Sequence, residues 1–226
     1  MPDPTFHVSD DPAGAVAELL VAAARRGDAI VLAGGATPAA AYERAAAAEP
    51  DWSRASAWFG DERCVPPDDE RSNFGLAQRT LLDRLARAPE VHRIRGELPP
   101  AEAADAYEAE LGETALDLVV LGLGPDCHTA SLFPGTPQLA VRDRRVTSGP
   151  PGLEPWVDRV TLTLPTLAGA RVIVFLVSGA PKAAAVERAF RAEPGEDAPA
   201  SLLRTGPAPI DVYLDPAAAG DPHPAA

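Results

Sequence analysis

The chain's four histidines differ sharply in setting. His7 lies near the start, His92 in a polar connection and His223 in the tail, whereas His128 lies on the loop that follows the apolar stretch 116–121. A neutral imidazole can take a proton from water near neutral pH, and a nearby carboxylate can orient it. His128 with Asp126 therefore reads as a general base and its orienting partner. Ser131 is a weaker candidate, as a covalent nucleophile, since the same hydroxyl could simply cap a turn. The basic residues are as uneven: of 20, 19 are Arg and one is Lys, at position 182. A lone Lys is either chance or the mark of a place where a compact ammonium is needed and a planar guanidinium would not fit. Lys182 follows Ser178-Gly179-Ala180-Pro181 at a predicted helix start. A cation is disfavoured there unless an anion sits between it and the helix amides, which favours phosphate binding over a solvated side chain.

Two further loops suit an anion. Gly34-Gly35-Ala36-Thr37 joins an apolar run to a helix opened by Pro38. Glycines let backbone amides point inward, the helix start adds partial positive charge, and Thr37 adds a hydroxyl donor. The alternative is a plain tight turn, and the loop is no P-loop, because the Gly-Lys-Ser/Thr ending is missing. Asp61-Glu62-Arg63 puts three charges directly after another apolar run. Charges there are commonly solvated, yet Arg63 is placed to fork onto a phosphate or carboxylate, with Asp61 beside it as a substrate-binding residue. A fourth loop, Gly122-x-Gly124-x-x-Cys127, resembles a dinucleotide fingerprint but fails at its third position, and no ribose-binding acid follows.

These loops all follow short apolar runs, and the runs alternate with Ala-rich amphipathic stretches. That is the pattern of βα units and a largely parallel sheet, whose ligands bind outside the carboxyl ends of the strands. Predicted strands are 29–33, 56–59, 116–121, 171–177 and 211–214. Residues 157–164 alternate as a half-exposed strand. Predicted helices run from Asp10 or Asp11 with Pro12 to about 26, over 38–48, from a Ser72 cap to about 87, over 100–112, and onward from Lys182. Residues 134–155, rich in Pro, Gly and Arg, read as a surface excursion with a short strand near 145–147. A substrate-covering flap charged by Arg142, Arg144 or Arg145 is conceivable. The tail 220–226 is expected to fray. No repeat or linker interrupts the chain, so 1–226 is expected to form one domain.

Composition sets the outer bounds. Hydrophobic residues make up 46% of the 226, and 25 Pro with 18 Gly stay below a low-complexity level, so a sizeable core is expected. The net charge of −13 repels phosphate backbones and anionic lipid, which argues against nucleic-acid and membrane-surface partners. No apolar run reaches a spanning length, and the acidic start lacks the order of a signal peptide. Two cysteines make no disulfide framework, so a reducing cytoplasm is the expected home. The expected assembly is a monomer or a weak homodimer.

Taken in order, LAGGATP (32–38), WFGDERCVP (58–66), DLVVLGLG (117–124), DCHTASLFPG (126–135) and RVTLTLP (159–165) resemble the 6-phosphogluconolactonase family. SGAPK (178–182), PAS (199–201) and VYLD (212–215) fit the same family, so the resemblance covers nearly the whole chain. It implies a three-layer α/β/α sandwich with a mostly parallel, Rossmann-like sheet, the fold shared with glucosamine-6-phosphate deaminases. It also implies hydrolysis of 6-phosphoglucono-δ-lactone in the oxidative pentose phosphate pathway, without metal or organic cofactor. Two positions depart from the family pattern. Cys127 stands where Gly is usual, which strains the backbone if that position needs positive φ. Ala36 replaces the usual Ser, leaving backbone donors in place of a hydroxyl. The related deaminases resemble DGHIAFNEPG over 126–135, with a catalytic Glu where this chain has Phe133, which disfavours deaminase chemistry. A non-catalytic sugar-phosphate sensor is the remaining alternative; it would keep the phosphate contacts and dispense with the base.

Overall fold

A computed structural model describes residues 3–220; apart from Gly220, the tail expected to fray lies outside the described residues. Strand β1 (Thr5–Val8) is an addition to the predicted elements. Helix α1 (Pro12–Arg26) starts where expected. The Asp11 carboxylate accepts from the Gly14 N–H, Pro12 sits in the first turn, and Gly27 ends the helix at φ 85°. Strand β2 (Ala29–Leu32) is wholly buried. Helix α2 (Ala36–Ala48) begins two residues before Pro38, so Ala36 and Thr37 belong to its first turn.

Strand β3 (Ser56–Phe59) is followed at once by a short strand β4 (Asp61–Arg63), where a charged loop was expected. Helix α3 (Asn73–Thr80) has the predicted Ser72 cap but stops early. Leu81 leaves helical dihedrals (φ −129°, ψ −68°) and turns into the core, and a 3-10 turn, Leu82–Arg84, takes over. Strand β5 (Glu90–Val91), helix α4 (Pro100–Leu111) and strand β6 (Leu118–Leu121) follow. The excursion holds a 3-10 turn and strand β7 (Val146–Gly149). Strand β8 (Arg159–Leu162), helix α5 (Leu164–Ala168), strand β9 (Val172–Val177), helix α6 (Ala183–Phe190) and strand β10 (Ile210–Leu214) complete the order.

Seven strands form a wholly parallel sheet in the order β1-β10-β9-β6-β2-β3-β5. Its central strands read as continuous apolar runs because helices cover both faces, giving the three-layer α/β/α sandwich that was expected. From β2 the chain winds outward through β3 to β5, then crosses back to β6 and winds the other way. The switch point therefore lies between β2 and β6, where loops leaving the two strands part and open a crevice.

A second, antiparallel sheet, β4-β8-β7, was not foreseen. It corrects two expectations. Strand β8 is buried along its whole length, because α4 packs against this sheet and its polar Thr161, 0% exposed, lies against Ser131 and Gly60. The excursion is no flap either, because β7 is hydrogen-bonded into this sheet and its arginines turn away from the crevice. Arg144 pairs with Asp105 and Glu108 of α4, Arg145 donates to the carbonyls of Gly112 and Thr114, and Arg142 donates to that of Leu139.

Candidate active site

Two tyrosines set where the site begins. The Tyr42 hydroxyl takes the Ala33 N–H and donates to the Ala33 carbonyl, both at 2.8 Å, which closes the end of β2 just before Gly34. Tyr107 does the same for Phe59 at the end of β3, at 2.8 and 3.0 Å. Both are fully buried helix residues, and burial raises their phenol pKa values far above normal. They are spacers of the sheet edge that sequence reading missed, since only the fold brings each to its strand.

Beyond these ends lies a cleft of about 310 Å3 lined by Gly34, Gly35, Ala36, Thr37, Asp61, Arg63, His128 and Lys182, among others. It thus gathers every predicted substrate-binding residue together with the predicted base. The first turn of α2 enters it without any side-chain cap on its free N–H groups. Strand β4 supplies Asp61 and Arg63 to the cleft because residues two apart on a strand share a face, while Glu62 points the opposite way. The Asp61 carboxylate accepts from Ser131 Oγ at 2.6 Å and from Asn73 Nδ2 at 3.0 Å. Ser131 is 1% exposed and its hydroxyl is spent on Asp61, so it is not poised as a nucleophile. The Arg63 guanidinium donates to the Arg71 carbonyl, while its Nε is buried without a partner.

Glu62 corrects the expectation of a solvated charge run. It is 2% exposed and caps α3, accepting from the N–H groups of Asn73 and Phe74 at 2.7 and 2.8 Å and from Ser72 Oγ at 2.9 Å. Burial pushes its carboxyl pKa up, and these hydrogen bonds offset only part of that. Asn73 is a further cleft residue that was read only as part of a helix start. Its Oδ1 lies so close to Gly34 that a Cβ there would stand 1.8 Å away. A glycine is needed at 34 for that close approach.

His128 sits on the loop after β6, and Asp126 reaches its Nδ1 at 2.5 Å, as the spacing predicted. The same carboxylate accepts the His128 backbone N–H at 3.1 Å. With Nδ1 facing a carboxylate, the neutral form of the ring carries its proton on that nitrogen and its lone pair on Nε2. Burial pushes the Asp126 carboxyl up, but its bonds to and attraction for His128 outweigh this and hold it below the ordinary range. Gly124 makes room for the ring, because a Cβ there would lie 2.0 Å from Nδ1. Cys127 does adopt the left-handed backbone anticipated, at φ 66°, at a cost of roughly 1 kcal/mol. Its thiol is 0% exposed and hangs over the Ala185 carbonyl at 3.6 Å. Burial raises the pKa of both thiols, that of Cys64 to about 11, which leaves neither reactive at neutral pH.

Lys182 ends a 3-10 turn and immediately precedes α6. Its ammonium donates to the Leu123 carbonyl at 2.7 Å, on the same loop as His128, and retains donors for the cleft. Burial lowers its pKa and the Asp126 charge partly restores it. The remaining described histidines are occupied elsewhere. His7 binds Asp211 at 2.8 Å, and His92 stacks on Trp58 at 3.9 Å and binds Glu110 at 2.7 Å; His223 lies outside the described residues. Among the described residues no group of three or more His, Cys, Asp or Glu side chains is arranged to hold a metal ion, and no helix is long and apolar enough to cross a membrane.

Fold and cleft together define an α/β protein with a cationic pocket and a carboxylate-oriented imidazole at the switch point of a parallel sheet. The chain belongs to the glucosamine-6-phosphate isomerases/6-phosphogluconolactonase family, whose model matches residues 7–210. It is 41% identical over 172 residues to a 6-phosphogluconolactonase of Nostoc, spanning 71% of this chain and 70% of that protein. Among solved structures, a 6-phosphogluconolactonase from Trypanosoma cruzi superposes with a TM-score of 0.87 at 28% identity, covering 98% of each chain. A monomeric glucosamine-6-phosphate deaminase shares the fold, with a TM-score of 0.83 at 19% identity over 97% of this chain and 100% of that one.

Proposed function

We propose that this cleft hydrolyses 6-phospho-D-glucono-1,5-lactone to 6-phospho-D-gluconate. Supporting this are the 6-phosphogluconolactonase relatives and, above all, the placement of Arg63, Lys182 and the open amino end of α2 in one cleft with His128, whose Nδ1 is held by Asp126. The phosphate docks on the Arg63 guanidinium, the Lys182 ammonium and the amides of the Gly34, Gly35, Ala36 and Thr37 loop, with the Thr37 hydroxyl as a further donor. At a net charge of −13 the overall field opposes a dianion, so these cations act locally, within a Debye length of ~8 Å.

Anchoring by the phosphate leaves the lactone carbonyl beside His128. Nε2 takes a proton from a water molecule, which attacks C1, and Asp126 stabilises the imidazolium that forms. The tetrahedral intermediate collapses with cleavage of the C1–ring oxygen bond, and the imidazolium returns its proton to that oxygen. The products are a carboxylic acid and a free hydroxyl, so one base suffices for this reactive ester, and the remote phosphate supplies orientation. The Asp61 carboxylate, an acceptor held by Ser131 and Asn73, suits a substrate hydroxyl better than the phosphate. Phe133 stands where a deaminase would need its carboxyl group, which leaves ring-opening of an amino sugar without that acid.

The test is hydrolysis of freshly made lactone in 18O-labelled water. His128→Ala should lose on the order of 10²-fold in kcat, with label entering the C1 carboxylate in the wild type. Turnover by His128→Ala close to that of the wild type would remove His128 as the base, whereas a wild type no faster than spontaneous lactone opening would make the protein a sugar-phosphate sensor.

A further inference from the structure

Asp126 holds His128 by one ring nitrogen, and that alone leaves the imidazole free to pivot about the hydrogen bond. A second surface removes this freedom. The Phe133 ring lies against the imidazole with centroids 4.4 Å apart and planes 36° from parallel. Phe133 is itself 3% exposed, and the backbone of Gly152 packs against the base of its side chain. A Cβ on Gly152 would stand 2.4 Å from both Cβ and Cγ of Phe133, closer than real atoms approach. Gly152 is solvent-exposed, lies in the segment joining β7 to β8, and is not among the residues lining the cleft. Surface backbone, phenyl ring and imidazole thus form an unbroken chain of contacts from Gly152 to His128.

We propose that Phe133, backed by Gly152, is a positioning residue that fixes the ring plane of His128 and so aims Nε2 into the cleft. A general base must lie within hydrogen-bond reach of the water it deprotonates, and a displacement near 1 Å is costly. An apolar ring is suited to this task because it offers no acceptor to compete for the imidazole protons and keeps water from one ring face. The segment joining β7 to β8 thereby acts on the site through Phe133. The inference rests on His128 being the base, but the ring's placement can be read without turnover.

The experiment compares Gly152→Ala, Phe133→Leu and Phe133→Tyr in the full chain. It follows kcat, KM and the His128 imidazole proton signals by NMR, assigned by their loss in His128→Ala. Gly152→Ala and Phe133→Leu should each lower kcat about ten-fold, leave KM within about two-fold, and displace the imidazole signals. Phe133→Tyr, which keeps a flat ring, should retain kcat within about three-fold. Unchanged kcat with unmoved imidazole signals in both Gly152→Ala and Phe133→Leu would overturn the proposal, as would a loss in Phe133→Tyr equal to that in Phe133→Leu. Displaced signals with unchanged turnover would uphold the positioning and instead remove His128 as the base. If Phe133→Leu does not fold, Gly152→Ala decides, because it changes no side chain of the cleft.

Discussion

The amino ends of α2 and α3 both reach the cleft, and they have been finished in opposite ways. At α3 the free N–H groups are taken by the chain itself: Glu62 binds those of Asn73 and Phe74, and Ser72 binds that of Gly75. At α2 no side chain caps the first turn, and the cleft it opens into also holds the cations Arg63 and Lys182. Two similar concentrations of partial positive charge thus have different partners. One is filled by a buried internal carboxylate and serves stability. The other carries no internal cap, and in the proposed function it takes the substrate phosphate.

Exchanging those roles gives the largest expected effects. Glu62→Ala leaves several buried donors without an acceptor and should cost about 3 kcal/mol of stability, lowering the thermal midpoint by roughly 6–12 °C at this size. Refolded Glu62→Ala should still bind 6-phosphogluconate at the α2 end. A thermal midpoint equal to that of the wild type would show that α3 needs no internal cap. Next comes Arg63→Ala, which removes a charged donor from the α2 end and should raise KM by about 30-fold, near 2 kcal/mol, with little change in melting. Lys182→Ala should act in the same direction, and Lys182→Arg should be only partly tolerated; full activity of both would take Lys182 out of the site. Thr37→Ala deletes one neutral donor and should raise KM about five-fold, close to 1 kcal/mol, again with unchanged stability.

The smallest effect is on pH dependence. Burial lowers the Lys182 pKa, so its proton is lost on the alkaline side before an ordinary lysine would lose it near 10.4. Affinity for 6-phosphogluconate, measured by calorimetry to avoid spontaneous lactone opening, should therefore decline as pH rises toward that value. Lys182→Arg should abolish the decline, and an identical decline in that variant would assign the titration elsewhere.

Much of the site could be read because its signals are local. The Gly34 to Thr37 turn, the two-residue spacing of Asp126 and His128, and the lone Lys182 at a helix start each rest on neighbours in the chain, and all reach one cleft. The parallel sheet was legible for a similar reason, since strands buried on both faces are continuous apolar runs. Where expectation failed, a distant partner had decided. Strand β8 alternates polar and apolar residues, yet its polar side chains are buried. Thr161 accepts the Ser131 N–H at 3.2 Å and lies beside the Gly60 carbonyl at 3.4 Å. Glu62 read as a surface charge because its acceptor role lies ten and more residues away, at Ser72, Asn73 and Phe74.

What this sequence determined by itself is the list of chemical parts and the order of βα units that brings them to one edge of a sheet. Local dihedral preferences, capping and hydrophobic period act over a few residues and need no knowledge of the rest. Tertiary structure alone decided which helix end stays open, that Tyr42 and Tyr107 tie off β2 and β3, and that Phe133 lies on the imidazole. Those outcomes depend on side chains separated by many residues meeting at a few ångströms, and close packing sets such meetings only once the whole core has formed.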